Sequence, residues 1–312
     1  MSRTDVRLSA EPLPVWEGVL PAWPGTDEDG LFVRRTPASR GEPALFVHGL
    51  GGASTNWTDL MGLLAGSLDC AALDLPGFGW SPPGPSYSLR THVRAVITLL
   101  ERQGRGPVHL FGNSLGGAVS TRVAARRPDL VRTLTLVSPA LPSLRPRRGI
   151  DPRMPLMAVP GIAKLLSKKL AEVSAEQRAA TVINLCYADP SAIPPERRAE
   201  AIAEVSRRSG LPYAEQALVG SLRGLIGAYL ERGERNLWRQ AATVRVPTLL
   251  VWGTEDRLVD VSLAPRALAA FPQSRLLVLP NVGHVAQMEQ PETVARAFLG
   301  LREDVDAKRV RA

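Results

Sequence analysis

Cysteine is almost missing from this chain. Its 312 residues include only two, Cys70 and Cys186, far apart and in unrelated contexts. That excludes a disulfide framework and a cysteine-based metal site, and it fits a reducing compartment. Long apolar runs are missing too: no stretch approaches the ~18 residues a membrane span needs. The opening segment MSRTDVRLSAEPLPVWEG lacks the apolar core of a signal peptide. A cytoplasmic protein without a transmembrane segment is therefore expected. Charge of one sign forms no long run, although the stretch between Leu141 and about Arg239 is locally basic. The net charge is +8, from 38 Lys and Arg against 30 Asp and Glu. The basic residues are nearly all arginine and lie scattered, as at Arg145 to Arg148, Arg197–Arg198 and Arg207–Arg208. No stripe interleaves them with aromatics, which argues against a nucleic-acid partner and for a solvated basic surface.

What is present is a chain with a real core, 45 % hydrophobic and 22 % charged. Its length suits one core domain carrying a sizeable insertion. LPVWEGVL and GLFVRRT read as an antiparallel pair at the start. Short apolar runs follow at Ala44 to Gly49, Cys70 to Gly77, Val108 to Ser114, Thr133 to Pro139, Pro247 to Gly253 and Arg275 to Asn281. The middle runs are apolar on both faces, as strands of a covered parallel sheet must be. Between them RTHVRAVITLLERQG, GGAVSTRVAARRP and VSLAPRALAAFP have helical spacing and end at Gly or Pro. The alternation implies an α/β, doubly wound, mostly parallel sheet. It breaks between Leu141 and about Arg239, where helical, proline-punctuated patterns replace strands. The expected organisation is core over 1–140, a helical cap over 141–239, core again over 240–302, and a charged tail at 303–312 that frays.

One stretch carries chemistry. In VHLFGNSLGG a run of strand formers ends at Ser114, with Gly112 two residues before it and Gly116 two after. A serine hydroxyl is a poor nucleophile unless a base, a group orienting the base, and oxyanion donors surround it. G-x-S-x-G between a strand and a helix is the context of a nucleophile elbow. There the serine takes a strained conformation and the glycines let neighbouring backbone pass. The plainer alternative is a glycine-rich turn with an idle serine.

Four histidines compete for the role of base. His92 lies in a helical segment and His109 inside a strand. His48 ends a strand in VHGLGG and reads as a brace for that loop. His284 follows the last strand on a loop, where a general base belongs, and is the candidate. The acid should come from GTEDRLVD. Asp256 is the first choice, Glu255 the chief competitor, and Asp260 lies further along. The oxyanion donors would be the Leu115 amide and an amide of HGLGGASTNW, with Leu50 preferred and Gly51 the alternative. Gly49, Gly51 and Gly52 let that loop approach a substrate.

In order, HGLGG, LDLPGFGWS, GNSLGG, WGTEDRLV and GH followed by EQPE resemble the α/β-hydrolase fold superfamily along nearly the whole chain. The resemblance implies an eight-stranded sheet, a Ser114–His284–Asp256 triad, an oxyanion hole at Leu50 and Leu115, and a cap inserted after the sixth strand. Asp74 would be structural. A serine at the elbow differs from the aspartate of dehalogenase and epoxide-hydrolase relatives. The elbow GNSLGG and the Asn56–Trp57 pair also resemble the C–C hydrolases that act on meta-cleavage products. Those usually carry Gly-Pro-Gly where this chain has GLGG, and Trp where it has Val285. A carboxylic ester hydrolase of the carboxylesterase or lipase-like kind is thus the expected activity, on a medium-sized, largely apolar ester. C–C bond hydrolysis is the alternative, and a non-catalytic small-molecule receptor is the alternative from another class. Asn56, Trp57 and Asn113 are candidate substrate contacts. No metal or organic cofactor is expected. The stretch Met154 to Leu170 could line an acyl pocket or rest on a membrane surface, but packing on the core is the preferred reading.

Overall fold

The computed structural model describes residues 3–15, 23, 25–37, 41–143 and 173–309. Eight strands form one sheet: β1 (Gly25–Glu28), β2 (Leu31–Arg35), β3 (Glu42–Val47), β4 (Leu68–Leu73), β5 (Val108–Asn113), β6 (Val131–Val137), β7 (Thr248–Gly253) and β8 (Ser274–Leu279). Their spatial order is β1-β2-β4-β3-β5-β6-β7-β8. β1, β2 and β4 pair antiparallel, and every other neighbouring pair is parallel. All six residues of β5 are buried, as are all six of β7, as expected of strands covered on both faces.

Alternation along the strands feeds two cores. Leu45, Val47 and Leu110 face one layer, covered by helices α2 (Leu89–Gln103), α3 (Leu115–Arg126), α7 (Leu237–Thr243) and α8 (Ala264–Ala270). Ala44, Phe46 and Phe111 face the other, covered by α1 (Thr58–Leu64), the short α9 (Ala286–Glu289) and α10 (Pro291–Arg309). The sheet is thus wound on both sides, with its loops after β3, β5, β7 and β8 at one carboxyl edge. α2 starts at Ser88, whose hydroxyl accepts the Thr91 amide, and stops at Gly104 with φ +58°.

Between β6 and β7 the described residues are helical: α4 (Ala175–Cys186), α5 (Pro195–Ser209) and α6 (Ala214–Leu230) precede α7. The Met154 to Leu170 stretch lies outside the described residues. Among those described, no helix is long and apolar enough to cross a membrane.

Three expectations need correction. The opening hairpin exists, but its first strand is Gly25–Glu28, closed by a tight turn at Asp29–Gly30. LPVWEGVL is not that strand: residues 13–15 carry none, and 16–20 lie outside the described residues. The charged tail does not fray at residue 303, because α10 continues to Arg309. Its charges are matched by the N-terminal segment and β8: Arg302 meets Glu11 at 2.8 Å, Glu303 meets Arg7 at 2.7 Å, and Asp304 meets Arg275 at 2.5 Å. Finally, the paired arginines are not all solvated. Arg197 is 5 % exposed and grips Asp59 through two bonds of 2.6 and 2.9 Å, tying α5 to α1.

Candidate active site

Ser114 joins β5 to α3 at φ +54° and ψ −116°, a left-handed conformation that costs a non-glycine residue roughly 1–3 kcal/mol. Neighbours hold it there. The Ser114 amide donates to Val137 O at 3.1 Å, and its carbonyl accepts from Ala118 and Ala140 at 3.1 and 2.9 Å. The turn also requires close backbone approach. A Cβ on Gly116 would lie 2.1 Å from the Val47 carbonyl oxygen, and one on Gly112 would lie 2.5 Å from Gly116 O. The start of α3 lies directly after the serine, and its amide ends favour negative charge.

After β3 the chain turns through Gly49–Gly52, closed by the Gly52 amide on Gly49 O at 3.1 Å. Gly51 takes φ +73° there, a value only glycine adopts freely. Among the described residues, neither the Leu50 nor the Leu115 amide donates to an acceptor. His48 is buried and braces this loop. Its Nε2 accepts the Leu75 amide at 2.9 Å, so its Nδ1 carries the proton and donates to Gly49 O at 2.7 Å. Asp74 is also structural in geometry: its carboxylate accepts the amides of Ser54 at 2.5 Å and Trp80 at 2.8 Å.

His284 lies on the loop after β8, 3 % exposed. Its Nδ1 donates to the Asp256 carboxylate, at 2.9 and 3.0 Å from the two oxygens. Asp256 Oδ1 also accepts the Leu258 and Val259 amides, both at 2.8 Å. Burial would raise the Asp256 pKa, but the charge and hydrogen bond of His284 and the Val259 amide outweigh it and hold the carboxyl below its usual range. Glu255 points to solvent, and Asp260 instead accepts the Ser262 amide at the turn before α8. Of the three acids, Asp256 is the one that meets the His284 ring.

Ser114, His284, Leu50, Gly51, Asn56 and Asn113 line one cavity of about 340 Å³, roofed by residues of α4, α5 and α6. The Asn113 amide nitrogen is already committed, donating from Nδ2 to Val137 O and to His284 O, both at 3.1 Å. Asn56 Oδ1 accepts the Ala53 amide. Trp57 does not belong to the cavity. Its ring is fully buried in the other core layer, 5.4 Å from Phe46 and 6.4 Å from Phe111. The 3₁₀ turn Ser54–Trp57 points the indole under the sheet, which removes it from the substrate contacts.

Two residues of the site were not singled out from sequence. Glu289, in the GH…EQPE stretch, accepts the Gly283 amide on Oε1 and the Ala188 amide on Oε2, both at 2.8 Å. The His284 amide donates to Cys186 O at 2.7 Å. The histidine loop is thus pinned to the segment leaving α4. The only sequence signal for Glu289 was a carboxylate five residues after the base. Arg208 is the second. It sits in the cavity wall and its Nη1 donates to Gly51 O at 2.5 Å. Its place in an arginine pair gave no hint of that.

Beneath the loops, His48 and His92 are kept neutral. Burial pushes both down to about 4, and for His92 the nearby His48 adds to the effect. A histidine neutral in the fold and protonated when unfolded costs stability as pH falls from about 6.5 through 4. His92→Gln removes one such group. Wild type should therefore lose about 2–3 kcal/mol relative to this variant between pH 7.5 and pH 4.5. Urea midpoints of both proteins at the two pH values measure it. A constant gap would show that His92 protonates freely in the fold.

The family model described as alpha/beta hydrolase fold matches residues 43–291. The chain is 28 % identical to a dihydrolipoyllysine-residue acetyltransferase component of an acetoin cleaving system from Cupriavidus necator, over 88 % of this chain and 67 % of that one. It spans about two thirds of the length of the acetyltransferase components it matches. It is 29 % identical to a 2-hydroxy-6-oxononadienedioate/2-hydroxy-6-oxononatrienedioate hydrolase from Pseudomonas putida, covering 83 % of this chain and 86 % of that one. It is 26 % identical to lipase 1 of Psychrobacter immobilis, covering 86 % and 79 %.

Proposed function

The chain belongs to the α/β-hydrolase fold family, and within it we propose a serine hydrolase that cleaves a carboxylic ester through an acyl-enzyme on Ser114. One observation carries the reading: Ser114, forced into a left-handed turn, lines the same cavity as a His284 whose Nδ1 proton is held by Asp256. That leaves Nε2 of His284 unprotonated and able to accept the Ser114 proton as Oγ attacks the ester carbonyl. The amides of Leu50 and Leu115 stabilise the oxyanion. The alcohol departs with the proton from His284, and water then hydrolyses the acyl-enzyme by the same steps. The helices roofing the cavity act as its cap, and their apolar wall suits a medium-sized, largely apolar acyl group. The likeness to a lipase supports an ester substrate.

A second reading, hydrolysis of a C–C bond in a meta-cleavage product, is favoured by the 29 % identity to the nonadienedioate hydrolase. One experiment separates the two, and both from a receptor on the same fold. The protein is treated with a fluorophosphonate, and a p-nitrophenyl ester series is assayed beside Ser114→Ala. A single adduct on the Ser114 peptide, absent from Ser114→Ala, with turnover that selects a chain length, is expected. An adduct without ester turnover, accompanied by bleaching of a meta-cleavage dienoate, would favour the C–C hydrolase. No adduct would sink both and favour the receptor.

A further inference from the structure

The carboxyl end of α4 meets the loops that carry the acid and the base. Asn184 O accepts Nη1 of Arg257, the residue after Asp256, at 2.7 Å, and Cys186 O accepts the His284 amide at 2.7 Å. Tyr187 then leaves the helix in an extended conformation, and its hydroxyl donates to Met288 Sδ at 3.6 Å. The approach is close. A Cβ on Gly283 would lie 2.4 Å from Cys186 O and 2.7 Å from the Ala188 nitrogen, both backbone atoms. The carbonyl end of a helix favours positive charge, and His284 acquires that charge as Ser114 attacks.

Glu289 holds the two pieces together. Its Oε1 accepts the Gly283 amide beside the base, and its Oε2 accepts the Ala188 amide in the cap segment, both at 2.8 Å. Ionised, the carboxylate accepts both bonds at charge-assisted strength; protonated, one oxygen becomes a donor. Glu289 shares a second cavity, of about 130 Å³, with Asp59, Tyr187, Asp189 and Arg197. Arg197 is taken by Asp59 at 2.6 Å, and Asp189 turns to the Ser191 amide at 2.9 Å. Burial therefore raises the Glu289 pKa against the amides of Ala188, Gly283 and Val285, and the charge of Asp256 adds to the rise. The cavity also gives the side chain room to leave its two amides once protonated.

We propose that Glu289 is a positioning residue through which the cap sets the base, so that His284 is held in working position only while residues 186–188 are seated on its loop. The inference rests on His284 being the base of the proposed serine hydrolase. Glu289 does not line the Ser114 cavity, so it acts through His284. α4 does line that cavity, through Val182, Ile183 and Cys186. An acyl chain that touches the cap therefore bears on the clamp, and a substrate that seats α4 completes the catalytic arrangement.

The test is Glu289→Gln, which keeps one acceptor oxygen and turns an NH₂ toward the other amide. On p-nitrophenyl butyrate, kcat per fluorophosphonate-titrated site should fall about 10- to 100-fold with KM within about twofold, the cost of displacing a reacting group by roughly 1 Å. The acid limb of log kcat against pH should change as well. In wild type a proton on either His284 or Glu289 abolishes activity, so the limb steepens beyond a slope of about 1, and in Glu289→Gln it should not. Unchanged kcat per site, or an unchanged acid limb, overturns the proposal and leaves Glu289 as a brace of the fold. A second arm needs no turnover: hydrogen exchange in peptides spanning 184–190 and 281–289. Both should exchange about tenfold faster in Glu289→Gln, with the peptide across Ser114 unaffected. That result without ester turnover in wild type supports the clamp and sinks the esterase reading alone. Faster exchange confined to 281–289 overturns the link to the cap. Should Glu289→Gln not fold, Gly283→Ala strikes the same contact from the other side. It should lose kcat to a similar extent while keeping the wild-type acid limb, and a wild-type kcat there overturns the proposal.

Discussion

Asp256→Asn is expected to lower kcat on an ester by about 10⁴-fold while leaving the fold and KM nearly intact. Asparagine keeps an oxygen where Oδ1 accepts the Leu258 and Val259 amides, so the turn after β7 retains its two local bonds. What changes is the face toward His284. Both carboxylate oxygens now lie within 3.0 Å of Nδ1, so the imidazole must carry its proton there and leave Nε2 free. An amide NH₂ at that place would donate instead, and the ring would place its proton on Nε2, opposite to what a base for Ser114 requires. The imidazolium formed during attack would also lose the buried negative charge that balances it. Asp256 remains ionised well below neutral pH, so this support does not titrate in the working range. Steady-state kinetics with an urea melt of the same preparation check the prediction. A loss under tenfold, with stability unchanged, would mean that His284 is oriented by something other than Asp256.

The sheet could be read from sequence because strands buried on both faces carry apolar residues on both faces, and β3, β5, β6 and β7 are such strands. The candidate serine, histidine and aspartate were placed together for a related reason. Each follows a strand in a turn, and the order of the strands places all three turns at one edge. The residues that escaped act across elements distant in sequence. Arg208 reaches the loop after β3 from α5, and nothing near position 208 encodes that encounter. Glu289 clamps Gly283 and Ala188, a pair brought together only when α4 docks on the histidine loop. Trp57 failed in the other direction. It has the right neighbours for a substrate contact, but a 3₁₀ turn decides which side of the sheet an indole reaches, and composition does not show that rotation. The first hairpin strand was misplaced because Gly25–Glu28 is short, polar and half-exposed, so its only signature is the turn that follows it.

Gly116→Ala is expected to damage both stability and catalysis. The added Cβ would meet Val47 O at 2.1 Å and His48 O at 2.6 Å, both backbone atoms that cannot rotate away. Ordinary contact needs roughly an ångström more, so α3 must move off β3. Overpacking a well-filled core typically costs 1–3 kcal/mol, and here no flexible side chain can absorb it, so about 3 kcal/mol or more is expected. The same displacement separates the two amides assigned to the oxyanion, Leu115 at the head of α3 and Leu50 just beyond β3. Losing alignment at one such donor costs about 10²–10³ in kcat. Gly227→Ala is the control. Gly227 lies in α6 with nothing within 4 Å of the added carbon, so the substitution should gain about 0.5–1 kcal/mol through helix propensity alone. Urea midpoints and kcat of the two variants decide the matter. If Gly116→Ala matched Gly227→Ala in stability, the close approach of β3 to the serine turn would not be what requires a glycine there. If it lost stability but kept kcat, the Leu50 and Leu115 amides would not both serve the oxyanion.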